Sequence, residues 1–441
     1  MKRFIPSPDC PQLTKSAEIA YDSIRGRFIR ATEHIPCGQI VCIEKGVVVN
    51  INSGCCKLCL KEGTNLCVDC YDKYVEEYAD YEEPFEDVLP QLGLYKLVLR
   101  TLLTYSPLEI EKEIEEYNDS MREYRKAPKL QTSDFRSVMS LIEGPYDGFE
   151  VVAEITDRVS EHLSQTHPVW SKVGKSVYKK AAIALCKRFT VNAHTVFSLQ
   201  NSLAGGSENL PSGSGIFPIS AIFNHSCKPN VHSYFVNDTF IFVSLGVSKG
   251  EELLDSYGVS RFYSPMEERK DFLSFNCKCV CCKTPDVDAE SFVEPAPVIR
   301  YINSYNEYRI CRRQKILKEG SVEWDKKQEE LLHRVLNKGE KVILLFDILK
   351  GMEVRKMFLH PDQTVILLRL VCVYGLENPK EAEKTLLRAV IRIKLFQPKH
   401  PCSKLAEQLL SAYGMNKQGR IPELFRRFRK DVESISPGFV L

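Results

Sequence analysis

Cys56-x2-Cys59 and Cys67-x2-Cys70 place four thiols in two knuckles. Each knuckle can present two sulfurs to one ion, and four sulfurs make a closed tetrahedral zinc site. A closed site has no position left for substrate, so its role is structural. Cys55, beside the first knuckle, is an extra thiol. Cys277, Cys279 and Cys282 form a third knuckle, with Cys281 falling between the ligands. Three sulfurs leave an ion one ligand short. Upstream of them stands Asn224-His225-Ser226-Cys227-Lys228-Pro229-Asn230, followed by Glu251-Glu252-Leu253-Leu254-Asp255-Ser256-Tyr257. An amide, an imidazole and a phenol could bind and orient a polar ligand. Alone, His225 also reads as a satisfied buried histidine, and Tyr257 as a buried aromatic at a strand end.

The elements that must position these groups can be read in outline. The 441 residues suffice for two or three domains, and 44% apolar residues can build a large core. With 60 basic and 58 acidic residues the net charge is +2, so no direct nucleic-acid partner is expected. The longest apolar run, 342–349, is short and broken by Asp347, and Met1-Lys-Arg-Phe-Ile-Pro-Ser-Pro8 has no apolar signal core. No membrane association is therefore expected. Seventeen cysteines, an odd number with metal-type spacings, point to a reducing compartment, cytoplasm or nucleus.

Ile40, Val41, Ile43 and the run 47–49, bounded by Gly38, Gly46 and Gly54, predict short strands. Residues 71–190 carry helical spacing, as in Leu94, Leu97, Val98 and Leu102. The Gly/Ser-rich stretch 204–215 reads as a loop. Strand-like sequence returns from Ile216 to about Tyr257, clearest over 240–245. From about Val298 the chain reads as helical. Leu331, Val335, Val342 and Leu345 lie in one such stretch, and Leu386, Val390 and Ile393 share a face, as do Leu405, Leu409 and Tyr413. Asn378-Pro379 and Gln397-Pro398 punctuate the helices. Paired helices with short turns suggest a tetratricopeptide-like array, though no strict period is visible and a plain bundle also fits. The acidic run from Glu76 to Asp87 reads as a solvated face.

In their order and spacing, the Asn-His-Ser-Cys turn, the Glu-Glu-Leu-Leu-Asp-Ser-Tyr segment and the Cys-x-Cys-x2-Cys knuckle resemble the SET domain. More closely they resemble its SMYD (SET and MYND) branch of protein lysine methyltransferases. The resemblance is strongest over 215–282 and extends along nearly the whole chain. It implies an α+β fold. Residues 1–54 would form the N-terminal part of a split SET domain, 55–90 a reduced MYND-like zinc module and 91–190 a helical insert. Residues 191–260 would be the core SET domain, 261–290 a post-SET zinc segment and 291–441 an all-α, tetratricopeptide-like domain. The place of the second MYND zinc matches Tyr81-Glu-Glu-Pro-Phe85, which has no ligand at either end. That zinc is expected to be lost, and the chain is similar to a divergent member nearest a fourth-paralogue-like branch.

The resemblance also implies roles. S-adenosylmethionine would lie against the Gly-Arg loop Ser23-Ile-Arg25-Gly26-Arg27-Phe28, with Asn192, Asn224, His225, Tyr257 and Phe275 as further contacts. Phe28 stands where the family has a second glycine, and Leu273 where many members have an aromatic. Tyr257 is the expected catalytic residue, orienting a lysine amine against the methyl group. Cys227 would complete the second zinc set with Cys277, Cys279 and Cys282. Lysine methylation of a histone or other protein is the implied activity, and a catalytically weak SET/zinc/helical-repeat scaffold is the alternative. The partner is a protein or peptide with a target lysine, others could dock on the helical C-terminal domain, and a monomer is expected.

Overall fold

The computed structural model describes residues 4–51, 55–61, 64–86, 94–124, 135–144, 149–197, 211–258, 266–273, 275–283, 328, 331–332, 336–354, 361–396, 400–415 and 419–435. They fall into two compact units. One is drawn from Met1–Ser198, Asn209–Asn224 and Asn230–Asp255, the other from His225–Pro229 and Ser256–Leu441.

Three small antiparallel sheets organise the first unit. β1 (Ala17–Asp22) pairs with β2 (Gly26–Ala31), Asp22 lying opposite Gly26. The Asp22 carboxylate accepts from the backbone N–H groups of Ile24 (2.9 Å) and Arg25 (2.7 Å), an Asx turn that reverses the chain. Gly26 follows with φ +71, and a Cβ there would meet nothing within 4 Å. Backbone conformation alone requires the glycine, and open space lies beside it. β3 (Ile40–Lys45), where the β-branched run predicted a strand, pairs with β9 (Thr239–Ser244), which also pairs with β8 (Val231–Val236); the two-residue β7 (Asn224–His225) precedes β8 in the chain. The β8–β9 turn puts Asn237 at φ +55, a conformation asparagine tolerates. Beneath these strands aromatic rings fill the core, with Phe235 on Phe240 at 4.0 Å and Phe223 on Phe242 at 4.2 Å between centroids.

The third sheet departs from the sequence expectation. β4 (Val48–Ile51), β6 (Pro211–Ile216) and β5 (Ala193–Phe197) run in the order β4-β6-β5, so part of the supposed loop is a central strand. The rest of that loop lies outside the described residues. Pro-Ser-Gly-Ser-Gly-Ile has poor strand propensity, but its backbone bonds to strands on both sides. Gly215 is used: a Cβ there would come within 2.7 Å of the Phe217 ring and 3.0 Å of Val49.

Helices fill the middle of the first unit. α1 (Val68–Tyr74) runs through a π turn, 75–79, into α2 (Asp80–Glu82). α3 (Leu94–Thr104) buries Leu97, Val98 and Leu102 as their spacing predicts. α4 (Pro107–Tyr124), α5 (Phe135–Met139), α6 (Phe149–Thr166) and α7 (Lys175–Asn192) follow, with α3 and α6 packed on α7.

The second unit is helical beyond its cysteine segment. α8 (Met266–Phe272) and α9 (Val280–Lys283) come first, then α10 (Lys338–Val354), α11 (Pro361–Tyr374), α12 (Pro379–Phe396), α13 (Ser403–Gly414) and α14 (Ile421–Ile435). From α10 onward each helix packs on the next, and α11 also meets α14. Leu345, Leu386, Val390, Ile393, Leu405, Leu409 and Tyr413 lie in one core with Leu331, as their spacing predicts. Val335 and Gln397-Pro398 lie outside the described residues. Pro379 opens α12 at the position where a missing N–H costs nothing. Among the described residues no helix is long and apolar enough to cross a membrane.

Candidate functional site: two thiolate centres and the Asn-His turn

In the first cysteine module Cys56, Cys59, Cys67 and Cys70 hold their Sγ atoms within 4.8 Å of one another. Four sulfurs at about 2.3 Å from zinc would stand about 3.8 Å apart. The Cys59–Cys67 separation is 3.6 Å. Cys59 ends a turn after which Leu60 takes φ +57, and Cys67 stands at the N-terminus of α1 with Cys70 one turn in. Burial works to raise the Cys56 pKa, but backbone N–H groups of Cys67, Leu58 and Cys59 aim at its sulfur and bring it down to about 7. Amides aimed at a thiolate, in a set of the right size, fit zinc. Cys55 is buried outside the set.

A buried ion pair locks this module to the fold. Arg100, on α3, holds Glu82 with Nε at 2.5 Å and Nη2 at 2.9 Å, both side chains almost fully buried. Its Nη1 donates to the carbonyls of Val49 on β4 and Lys57 in the first knuckle, each at 2.6 Å. The acidic run is therefore not simply a solvated face, because Glu82 is its structural member. Tyr81 and Phe85, where the second MYND zinc would lie, pack on the rings of His167 and His162.

In the second unit Cys227, Cys277, Cys279 and Cys282 form the other set, with sulfur separations of 4.0 Å for Cys227–Cys277 and 3.6 Å for Cys227–Cys282. Among the described residues these two sets are the groups able to hold a metal. A hydrogen bond from Cys227 holds the Cys279 thiol well below its usual range and Cys227 correspondingly high. Cys281 is buried and stays outside the set, as its place between ligands predicts. This set also fits zinc.

His225 lies two residues from Cys227. Its Nδ1 accepts the Tyr257 backbone N–H at 3.1 Å, so in the neutral ring the proton sits on Nε2, which faces the Cys227 sulfur at 3.4 Å. Burial pushes the imidazole pKa down to about 4. The Tyr257 ring lies 5.2 Å from His225 and 6.2 Å from Phe275, and Phe275 lies 6.0 Å from His225. Tyr257 is 42% exposed and Leu273 is buried.

The first unit gathers the Gly-Arg loop around a carboxylate that sequence reasoning missed. Glu252 accepts from Arg25 Nη1 at 3.1 Å and from the Asn224 amide at 2.8 Å. That amide also donates to the Arg27 carbonyl at 3.3 Å. Arg25 is further paired with Asp22 and lies 3.7 Å over the Phe28 ring. Phe28 is thus buried beneath Arg25. The Arg27 side chain turns to Ser140, donating to its hydroxyl and carbonyl. Asn230 clamps the same region: its amide donates to the Glu252 carbonyl and its oxygen accepts from Leu254 N–H. Glu252 stands five residues before Tyr257 in a largely polar stretch, beside Glu251 and three residues before Asp255, so no sequence signal singled it out. Asn192 ends α7 and gives its amide protons to the carbonyls of Ile142 and Arg188.

The family profile of the SET domain matches residues 26–258. The chain belongs to the SET domain family. It is 34% identical to SET domain-containing protein 3 of Caenorhabditis elegans over 319 residues, 67% of this chain and 68% of that protein. It is 31% identical to the protein-lysine N-methyltransferase SMYD4 of Homo sapiens over 103 residues, 21% of this chain and 13% of that protein. With the N-lysine methyltransferase SMYD2 of Homo sapiens it shares 25% identity over 276 residues, 60% of this chain and 59% of that one.

Proposed function

We propose that this chain is an S-adenosylmethionine-dependent protein-lysine N-methyltransferase, a divergent member of the SMYD branch. One observation carries the reading: Asn224 and His225, successive residues in a SET domain, each have their polar groups held in fixed directions. Glu252 and the Arg27 carbonyl orient the Asn224 amide. The Tyr257 N–H orients the His225 ring. The open space at Gly26 supports a ligand lying against the loop backbone. Cysteines without disulfides among the described residues support a reducing compartment, cytoplasm or nucleus.

When bound, the cofactor supplies a methyl group on a cationic sulfur. A free lysine has pKa about 10.4, so only about one in 10^3 is neutral at pH 7. The chain's task is to exclude water from that lysine, favour the amine and aim it. In this reading the half-exposed rings of Tyr257 and Phe275 flank the bound lysine while the Tyr257 hydroxyl aims the amine. His225 remains neutral and positions Tyr257 through its backbone. The substrate is a protein or peptide segment bearing lysine, and the helical C-terminal part is a candidate surface for other proteins.

Calorimetry with S-adenosylhomocysteine tests the reading, and Asn224→Ala should weaken binding about tenfold to a hundredfold, for a loss of about 1–3 kcal/mol. Unchanged melting with unchanged affinity in that variant would defeat the assignment. Absence of cofactor binding by the wild type would favour a non-catalytic scaffold.

Tyr257→Phe removes one hydroxyl and keeps the ring. Cofactor affinity should persist while kcat for radiolabelled methyl transfer onto histones or lysate proteins falls, or the number of methyls added changes. Equal rates and products for variant and wild type would remove Tyr257 from the mechanism.

A further inference from the structure

The helix that follows Cys67 carries three large apolar side chains on its outer side. Val68 is 92% exposed, Tyr71 57% and Val75 47%. Their spacing of three and four residues puts them on one face. Single exposed apolar side chains are ordinary, but three in register form a stripe. Tyr74, Tyr78 and Ala79 of the same stretch turn inward and pack together beside Leu58, Leu66 and Leu103, which fixes the segment against the fold. The Cys56–Cys70 set and the Arg100–Glu82 pair hold the helix in place, so the stripe is presented on a fixed support.

Charge selects the occupant. From residue 68 to residue 80 the chain carries Asp69, Asp72, Glu76, Glu77 and Asp80 against Lys73 alone. Asp69 has Lys61 at 3.9 Å and Glu77 has Lys73 at 3.6 Å. Asp72, Glu76 and Asp80 have no ion-pair partner among the described residues. A second copy would bring the same negative face against it, and nucleic acid or an anionic membrane would be repelled. A cationic segment with apolar side chains is complementary on both counts.

We propose that Val68, Tyr71 and Val75, with Asp72 and Glu76 beside them, form a docking surface for a lysine- or arginine-rich protein segment carrying aliphatic side chains. The stripe is about 10 Å long by helical rise, matching about three residues of extended chain or two turns of helix. This surface does not depend on methyl transfer, and its test has no step that requires activity.

The test is fluorescence anisotropy on the full zinc-loaded chain with a labelled peptide of about twelve residues, leucines interrupting lysines. One control peptide replaces the leucines with serine and another replaces the lysines with glutamate. The lysine/leucine peptide should bind, more weakly as salt rises. Both Val68→Ser/Tyr71→Ser and Asp72→Asn/Glu76→Gln should weaken it at least about tenfold with unchanged zinc content and melting temperature, and the serine peptide should lose a similar factor. No binding by the wild type would overturn the proposal. So would unchanged affinity in both double variants, equally tight binding of the serine peptide, or equally tight binding of the glutamate peptide.

Discussion

Cys227→Ser should lower the zinc content of the purified chain from about two ions to about one and cause a large loss of stability. The four Cys227-set sulfurs stand at separations suited to a single tetrahedral ion, and Cys227 contributes from a turn fifty residues before Cys277. Zinc binding to such sites carries apparent free energies of about 10–16 kcal/mol, coupled to folding. Native stabilities are only about 5–15 kcal/mol, so losing the ion should unfold at least the cysteine segment. Metal analysis after chelating resin, beside a melting curve, reads the result. Cys281→Ser is the control, because that thiol lies outside the set and should leave the zinc count unchanged. If Cys227→Ser kept two ions and an unchanged melting temperature, the ligand set would be wrong. A wild-type content near one ion would remove one of the two centres.

Arg100→Met should destabilise the first unit by about 3–5 kcal/mol, because it leaves the Glu82 carboxylate buried without its bidentate partner. The same change strips the Val49 and Lys57 carbonyls of a donor. Lys96, 3.6 Å from Glu82, can recover only part of the interaction. Adding Glu82→Met should restore some stability, since a buried pair replaced by apolar residues is often near neutral, but the two carbonyls remain unsatisfied. Urea titrations of the two single variants and the double variant measure this coupling. Additive effects of the two substitutions would show that the ion pair does not act as a unit.

Much of the helical architecture was legible because burial follows spacing. Leu97, Val98 and Leu102 declare one face of α3, and Leu386, Val390 and Ile393 declare one face of α12, since a side chain's position on a helix is fixed by its residue number. The cysteine sets were legible for a related reason. Two cysteines two or three positions apart can reach one ion with little help from distant parts of the chain.

The central strand β6 was not legible, and its residues argue for a loop. It forms because β4 and β5 lie on either side and satisfy its backbone, while Phe217 and Val49 occupy the space a larger residue at 215 would need. Phe28 could be flagged as an unusual residue, but only its burial under Arg25 says where the ring goes. Glu82 looked like one more surface acid until Arg100, eighteen residues on, was found against it. Glu252 acquires its place from Arg25, 227 residues earlier in the chain, and from Asn224.

By itself, the sequence determined the Cys56, Cys59, Cys67 and Cys70 set and three sulfurs of the second set, which depend on residue type and short spacing. The class of fold and the place of Cys227 followed from the order of motifs along the chain, through their resemblance to the SET domain. The tertiary structure alone decided which buried charges are paired, which polar groups orient Asn224 and His225, and which acidic helix face stays open. Those depend on partners brought together from distant positions, whose desolvation cost makes the pairing necessary.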